Sequence, residues 1–292
     1  MTYLAKCFTI VLCFSALLLP RLYAQEKQHS LLWEISGNGL AKPSYLFGTI
    51  HAICPKDFVM NQSIEQSVTK SSQVYLELDM DEPSMMMDMQ KMMFMPEGTT
   101  LKSLMKEGDY QLVAQFFKDS IGINVDKVQK LKPFALSSMT VMKMLNCPIK
   151  SYEMTFVEMA KAQKKEVLGL ETVEEQMSAI DKMGYEQQAD LMLVKMVKNW
   201  NADKNTFGQM IKDYKSQNLE GLLKDMTSSS TMDVEFEKNL LNDRNKNWVP
   251  RIKKVIHEKS TFFAVGAGHL PGENGVISLL RKEGYIVKAV VK

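Results

Sequence analysis

Ser44-Tyr45-Leu46-Phe47-Gly48-Thr49-Ile50-His51 near the start of the chain and Thr261-Phe262-Phe263-Ala264-Val265-Gly266-Ala267-Gly268-His269 near its end repeat one local pattern. Each is a short apolar, aromatic-rich run with the length and composition of a buried strand. Each then breaks at Gly-x-x-His. Glycine leaves room where a side chain would clash. The histidine is thereby presented just past a strand end, where open α/β sheets bind their ligands. The chain has four histidines, His29, His51, His257 and His269, and two of them occupy this setting. One Gly-x-x-His alone carries little information. The matched context and the scarcity together point to one site shared by the two ends of the chain, and they hint at a diverged internal duplication.

Working outward, strand-like runs fall at Leu31–Ser36, Tyr45–Ile50, Val74–Asp79, Val167–Leu170, Phe262–Gly266 and Tyr285–Val291. Between Glu77 and Glu171, and again up to Thr261, the patterning is mainly helical. Ala189, Leu193, Met196, Val197 and Trp200 form one apolar stripe. Asn274 to Glu283 reads as a helix with Gly284 as its C-terminal cap. The predicted class is α/β (α+β): a central mixed sheet built from the two strand–Gly-x-x-His units, with a long, mainly helical middle section. Such a sheet must bring the chain ends together, and His51 and His269 with them.

The first residues read as a leader. Lys6 supplies a positive start, Phe8 to Leu19 an apolar stretch too short for a comfortable membrane span, and Leu22-Tyr23-Ala24 a cleavage site before Gln25. The expectation is a signal peptide over 1–24, a single domain over 25–292, and export, to the periplasm of a Gram-negative cell or else to the medium. The rival is an uncleaved N-terminal anchor. No later apolar run approaches spanning length, so no stable membrane span is expected after cleavage. Loss of Lys6 and Arg21 takes the formal net charge from +2 to zero. A neutral chain without a basic tract has no electrostatic footprint for nucleic acid. Cys54 and Cys147 then remain, and in an oxidising compartment they are expected to pair. Cys54 lies three residues after His51, so a bridge would brace the loop carrying it; the rival is Cys54 as a metal ligand or nucleophile.

Three charged residues draw attention. Glu77 closes the run Val74-Tyr75-Leu76-Glu77-Leu78-Asp79, and a carboxylate there either emerges into solvent or serves a site. Glu171 repeats the situation after Val167-Leu168-Gly169-Leu170, although Thr172 and Glu175 also have the spacing of a capping box. Arg244 falls on the apolar stripe of a helix expected from about Glu235 to Glu258, between Leu240 and Trp248. It must either snorkel to the rim or find a buried acceptor. Pro250 is expected to kink or end that helix. The Gly266-Ala267-Gly268 turn is not a dinucleotide fingerprint, because Pro271 holds the third glycine's place and no N-terminal βαβ unit precedes it. Methionines crowd residues 85–95. They read as flexible core, as an apolar binding surface in which Met86, Met89 and Met93 contact substrate, or as soft ligands for Cu(I).

Leu32-Trp33-Glu34-Ile35, Tyr45-Leu46-Phe47-Gly48-Thr49-Ile50-His51, Tyr75-Leu76-Glu77-Leu78-Asp79, Gly169-Leu170-Glu171-Thr172, Arg244-Asn245 and Val265-Gly266-Ala267-Gly268-His269-Leu270-Pro271-Gly272 occur in the order found in the TraB/GumN family. The chain resembles that family, to whose wider group the Tiki metalloproteases belong, over nearly all of the sequence after the leader. The resemblance implies an α/β fold related to erythromycin-esterase-like and haem-binding ChaN-like proteins. It also implies two functional Gly-x-x-His motifs, a functional glutamate and an arginine, which map to His51, His269, Glu77 and Arg244, with Glu171 a further candidate. From the Tiki branch it implies peptide cleavage dependent on Mn²⁺ or Co²⁺.

The expectation is therefore an exported metal-dependent hydrolase, a peptidase ahead of other hydrolases, with a peptide or small-molecule substrate. His51 and His269 would bind one divalent metal, Mn or Co ahead of Zn or Fe, with Glu77 or Glu171 completing the shell. The remaining glutamate would be the general base, and Arg244 would hold a carboxylate or stabilise an oxyanion. The rivals are a protein that sequesters a peptide or other ligand without turnover, and a metal- or haem-handling protein.

Overall fold

All six strand-like runs form strands in the computed structural model, which describes residues 29–291. The leader read over 1–24 lies outside the described residues. The strands are β1 (Leu32–Ser36), β2 (Ser44–Thr49), β3 (Gln73–Leu76), β4 (Val167–Gly169), β5 (Thr261–Gly266) and β6 (Ile286–Ala289). They make one mixed sheet in the order β4-β3-β5-β2-β1-β6. Strands β4, β3, β5 and β2 are mutually parallel, and β1 runs antiparallel between β2 and β6. β2 and β5 are the hydrophobic centre: every residue of β2 is buried, and so are Thr261 to Val265 of β5. That explains why both read as unbroken apolar runs rather than as alternating ones.

The middle section is helical as expected, with Met85–Met92, Glu107–Phe116, Pro133–Leu145 and Tyr152–Ala162 between β3 and β4. Val173–Asp181, Trp200–Lys215, Leu219–Ser228 and Asp243–Glu258 are the main helices between β4 and β5. Single π-helical turns at Phe117–Ile121, Asp190–Lys195 and Lys238–Asn242 interrupt the regular pitch. The stripe through Leu193 crosses one of them and still faces inward. Ala189, Leu193 and Met196 are buried, and Val197 and Trp200 half-buried. The C-terminal helix is Val276–Lys282, followed by Gly284 at φ +90°. Among the described residues no helix is long and apolar enough to cross a membrane.

The helix Asp243–Glu258 does not end at Pro250 but continues through it. Proline there removes one hydrogen bond and crowds the preceding turn. The residues beyond it stay helical because Ile252, Val255 and Ile256 are buried in the core around the sheet.

Candidate functional site: two histidines at the carboxyl edge of the sheet

The parallel register puts Gly48 opposite Val265 and Thr49 opposite Gly266. Both Gly-x-x-His turns therefore leave the sheet at one edge. β3 lies along the other side of β5, and β4 beside β3. His51, His269, Glu77 and Glu171 accordingly follow the carboxyl ends of four adjacent parallel strands, the usual ligand edge of an open α/β sheet. Neither motif glycine has a positive φ; each is needed for space. A Cβ on Gly48 would stand 3.0 Å from Ala267 Cβ and 3.1 Å from Ala267 Cα, so this glycine lets β2 pack under the second turn. A Cβ on Gly266 would stand 3.2 Å from Glu77 Oε1, 3.4 Å from His51 Nε2 and 3.6 Å from His269 Cδ2. The missing side chain of Gly266 thus marks the point around which both histidines and Glu77 gather.

Each ring is held by its far nitrogen. His51 Nδ1 lies 2.9 Å from Glu153 Oε1, and Glu153 also accepts from Thr49 Oγ1 (2.6 Å) and Ser151 Oγ (2.8 Å). A carboxylate can only accept, so His51 Nδ1 donates to Glu153 and Nε2 faces the site. His269 Nδ1 lies 2.7 Å from Asn245 Oδ1, while its Nε2 is 3.1 Å from Arg244 Nη1. Since guanidinium only donates, the neutral His269 carries its proton on Nδ1 and accepts at Nε2. Its ring also packs on Trp248, with centroids 4.4 Å apart.

Arg244 does not snorkel; it is 5% exposed. Its Nε donates to Glu171, its Nη2 to Glu77 Oε2 (2.6 Å) and to Glu171 Oε1 (2.5 Å), and its Nη1 to Leu240 O (2.9 Å) besides His269. Glu77 is likewise buried rather than solvent-facing, with Oε1 accepting from Gly266 N at 2.7 Å. Glu171 also accepts from Trp248 Nε1 (2.9 Å), and Gln176 Nε2 donates to both glutamates. The capping box of Thr172 and Glu175 is present as well.

Charge follows from these contacts. Burial opposes ionisation of Glu77, but Arg244, the two histidines and the Gly266 N–H together hold its carboxyl far below the usual range. Burial, aided by Arg244, depresses His269 to about 3, which leaves it neutral. For His51 desolvation again opposes charge, but Glu153 and Glu77 outweigh it and lift the pKa to about 9. Since 69% of the His51 side chain is exposed, the pairing with Glu153 decides.

Cys54 and Cys147 are joined in a disulfide, and Ile53 and Lys150 exchange backbone hydrogen bonds beside it. The loop after His51 is thereby clamped to the segment after helix Pro133–Leu145. A cavity of about 470 Å³ opens beside His51, with seven methionines in its wall. None comes from the 85–95 run. Met86 is 68% exposed, Met89 packs on a separate cluster around Met177, and Met93 is half-buried; none of the three lines the cavity that reaches His51.

Glu153, Asn245 and Gln176 escape a reading of the sequence. Glu153 stands in the first turn of helix Tyr152–Ala162, where an acid is ordinary. Asn245 is a polar residue beside Arg244 on a buried face, and that neighbour was the available signal.

The donor set, two imidazoles and one carboxylate, suits a divalent transition metal, and both Nδ1 atoms have the oxygen acceptors that metal-bound histidines need; His269 Nε2 accepts from Arg244 Nη1 and would have to be released by it to bind an ion. Among the described residues, no three His, Cys, Asp or Glu side chains stand in ligating geometry.

The fold and site define an α/β protein whose parallel strands deliver two histidines, two buried glutamates and one guanidinium to a single sheet edge. The chain belongs to the TraB/PrgY/gumN family, which matches it over residues 31–289. Among its relatives, the zebrafish (Danio rerio) protein named Metalloprotease TIKI1 is 24% identical, over 90% of this chain and 64% of that one. Metalloprotease TIKI2 of Xenopus tropicalis is 23% identical over 91% and 60%, and human Metalloprotease TIKI1 23% over 90% and 62%. The chain thus spans about 60–64% of the length of these relatives. No solved structure matches it.

Proposed function

We propose that this protein is an exported, metal-dependent hydrolase, and specifically a peptidase. His51, His269 and Glu77 hold one divalent ion, Mn or Co in preference to Zn or Fe. The observation that carries the reading is the point at Gly266. Two imidazole edges and a carboxylate oxygen reach it from three strands, and both rings are oriented by acceptors on Nδ1. The names of the metalloprotease relatives agree with it.

Bound there, the ion would polarise a carbonyl and lower the pKa of a water. The protein's own groups divide the remaining work. Glu77, ionised far into acid, is a weak base and a good ligand. Glu171 has its oxygens taken by Arg244, Trp248 and Gln176, so it anchors the guanidinium instead of abstracting a proton. Arg244 spends Nε and Nη2 on the two glutamates. Nη1 donates to Leu240 O and to His269 Nε2; were His269 Nε2 given to an ion, the proton it now accepts would turn to an oxyanion. A second reading has its own observation: an exposed imidazole backed by a buried carboxylate is the arrangement of a general base, so His51–Glu153, once deprotonated above about pH 9, could activate water without an ion.

The test is metal content by mass spectrometry of the wild type beside His51→Ala/His269→Ala, both checked for folding by circular dichroism. A peptide-cleavage screen with and without chelator follows. Near-stoichiometric metal that disappears in the folded double variant, with chelator-sensitive cleavage, supports the proposal. Cleavage indifferent to chelation but lost in His51→Ala supports the second reading. Full metal-dependent turnover in His51→Ala would overturn both.

A further inference from the structure

The cavity beside His51 has no role in the arrangement of metal and charge. Its walls come from three separated stretches: helix Pro133–Leu145, the π-helical turn Asp190–Lys195 with the residue after it, and the helices from Trp200 to Phe236. Met192, Met196, Met210 and Met226 line it with Phe207 and Phe236. Asp203 is the one formal charge in the wall besides His51, and it is buried, with its oxygens on Ser230 N and Oγ. The hydroxyls of Ser137, Ser138 and Thr140 are spent on backbone carbonyls of their own helix. A wall so composed recognises chiefly by apolar contact, with charge confined to His51 at the end that meets the histidine site and to the buried Asp203. Unbranched thioether side chains adapt to differently shaped apolar groups. About 470 Å³ lies within the usual range for a ligand site.

The cavity is continuous with the histidine site at two places. His51 is part of its lining. Its floor rests on the second Gly-x-x-His turn, since a Cβ on Gly268 would fall 2.8 Å from Met226 Cε and 3.0 Å from its Sδ. The middle glycine of that turn is therefore the space in which a groove methionine sits. At the mouth, Met142 is 61% and Ile149 41% exposed. The Cys54–Cys147 bridge fixes this rim to the His51 loop.

We infer that this cavity is the substrate subsite of the histidine centre, and that it takes an extended, uncharged peptide segment by its large apolar side chains, of leucine, methionine or phenylalanine type. The assignment rests on the hydrolase reading for its catalytic meaning. The binding it describes stands without it.

The experiment separates the two. The full-length His51→Ala/His269→Ala protein, unable to cleave, is titrated with a fluorescent peptide centred on Leu-Phe-Met and with a matched peptide centred on Ser-Asp-Ser, read by anisotropy. Met142→Glu at the exposed rim and Phe207→Glu in the wall are compared in the same background after a thermal melt. The expected result is binding of the apolar peptide at least tenfold tighter than of the polar one, reduced at least tenfold by Met142→Glu. Should Phe207→Glu fail to fold, Met142→Glu, at an exposed position, still decides. Equal binding of the two peptides, or no effect of Met142→Glu, overturns the assignment. Displacement of the peptide by a fatty-acyl probe that itself binds at least tenfold tighter overturns the peptide class in favour of a lipid. If the wild type holds no metal and cleaves nothing while the binding pattern is as stated, the hydrolase reading falls and the subsite stands. If the wild type cleaves with no preference for apolar side chains near the scissile bond, the subsite falls and the hydrolase stands.

Discussion

At the scale of single residues, the two motif glycines differ although they read alike. Gly48→Ala pushes a methyl group into the backbone of Ala267. It should cost stability, about 1–3 kcal/mol as for other overpacked sites, visible as a lower urea midpoint. Gly266→Ala places its methyl group among His51, His269 and Glu77, whose side chains can give way. It should leave the urea midpoint nearly unchanged and remove bound metal. Normal metal content in folded Gly266→Ala would show that the ion, if any, sits elsewhere. Arg244→Ala strands two buried carboxylates, Glu77 and Glu171, without their cation. Breaking such a cluster costs roughly 3–5 kcal/mol; a loss under about 1 kcal/mol in denaturant would refute the buried triad. That an arginine on an apolar stripe needs a carboxylate was legible in the sequence. Which carboxylates answer it, and that His269 is a third partner, was not, because these contacts join residues 25 to 167 positions apart.

At the scale of elements, helix Val173–Asp181 begins on a capping box whose Glu175 also pairs with Arg251. The Arg251 hydrogen bond, against some burial, lowers Glu175 to about 2. Its folded pKa lies below its unfolded one, so the stabilisation is present above pH ~4.3 and is lost as pH falls through about 2. The pair is about two-fifths exposed, so solvent screening limits it to ~1 kcal/mol or less. Glu175→Gln keeps the cap and removes the charge. It should lower stability slightly at pH 7 and match the wild type near pH 2 in chemical denaturation; a gap that persists at pH 2 would mean the charge is not its source. The disulfide spans 93 residues. Cys54→Ser/Cys147→Ser should lower unfolding free energy by about 2–5 kcal/mol and raise proteolysis within the loop that carries His51. Strands and capping signals were legible because they are local. The π-helical turns were not, since a 3.6-residue period is blind to an extra residue per turn.

At the scale of the whole molecule, reading outward from the two Gly-x-x-His units predicts the mixed sheet and the juxtaposition of its ends, because parallel pairing of β2 with β5 leaves no other placement for the histidines. The groove is illegible for the opposite reason. Its methionines are scattered from Met142 to Met232, and no short window holds them, whereas the dense run at 85–95 forms a helix whose Met85 and Met92 line a different pocket, one that includes Glu171.

The strand order has a consequence for how such a chain comes into being. β5 is the penultimate strand to be synthesised, yet it lies between β3 and β2. Until residues 261–266 emerge, the early strands have no shared partner, the second histidine does not exist, and Glu77 lacks the Gly266 amide. A nascent or clipped chain that ends before residue 261 therefore lacks both His269 and the strand that joins β2 to β3. Any destructive chemistry this centre performs is withheld from the cell that makes it until the last tenth of the polypeptide is delivered.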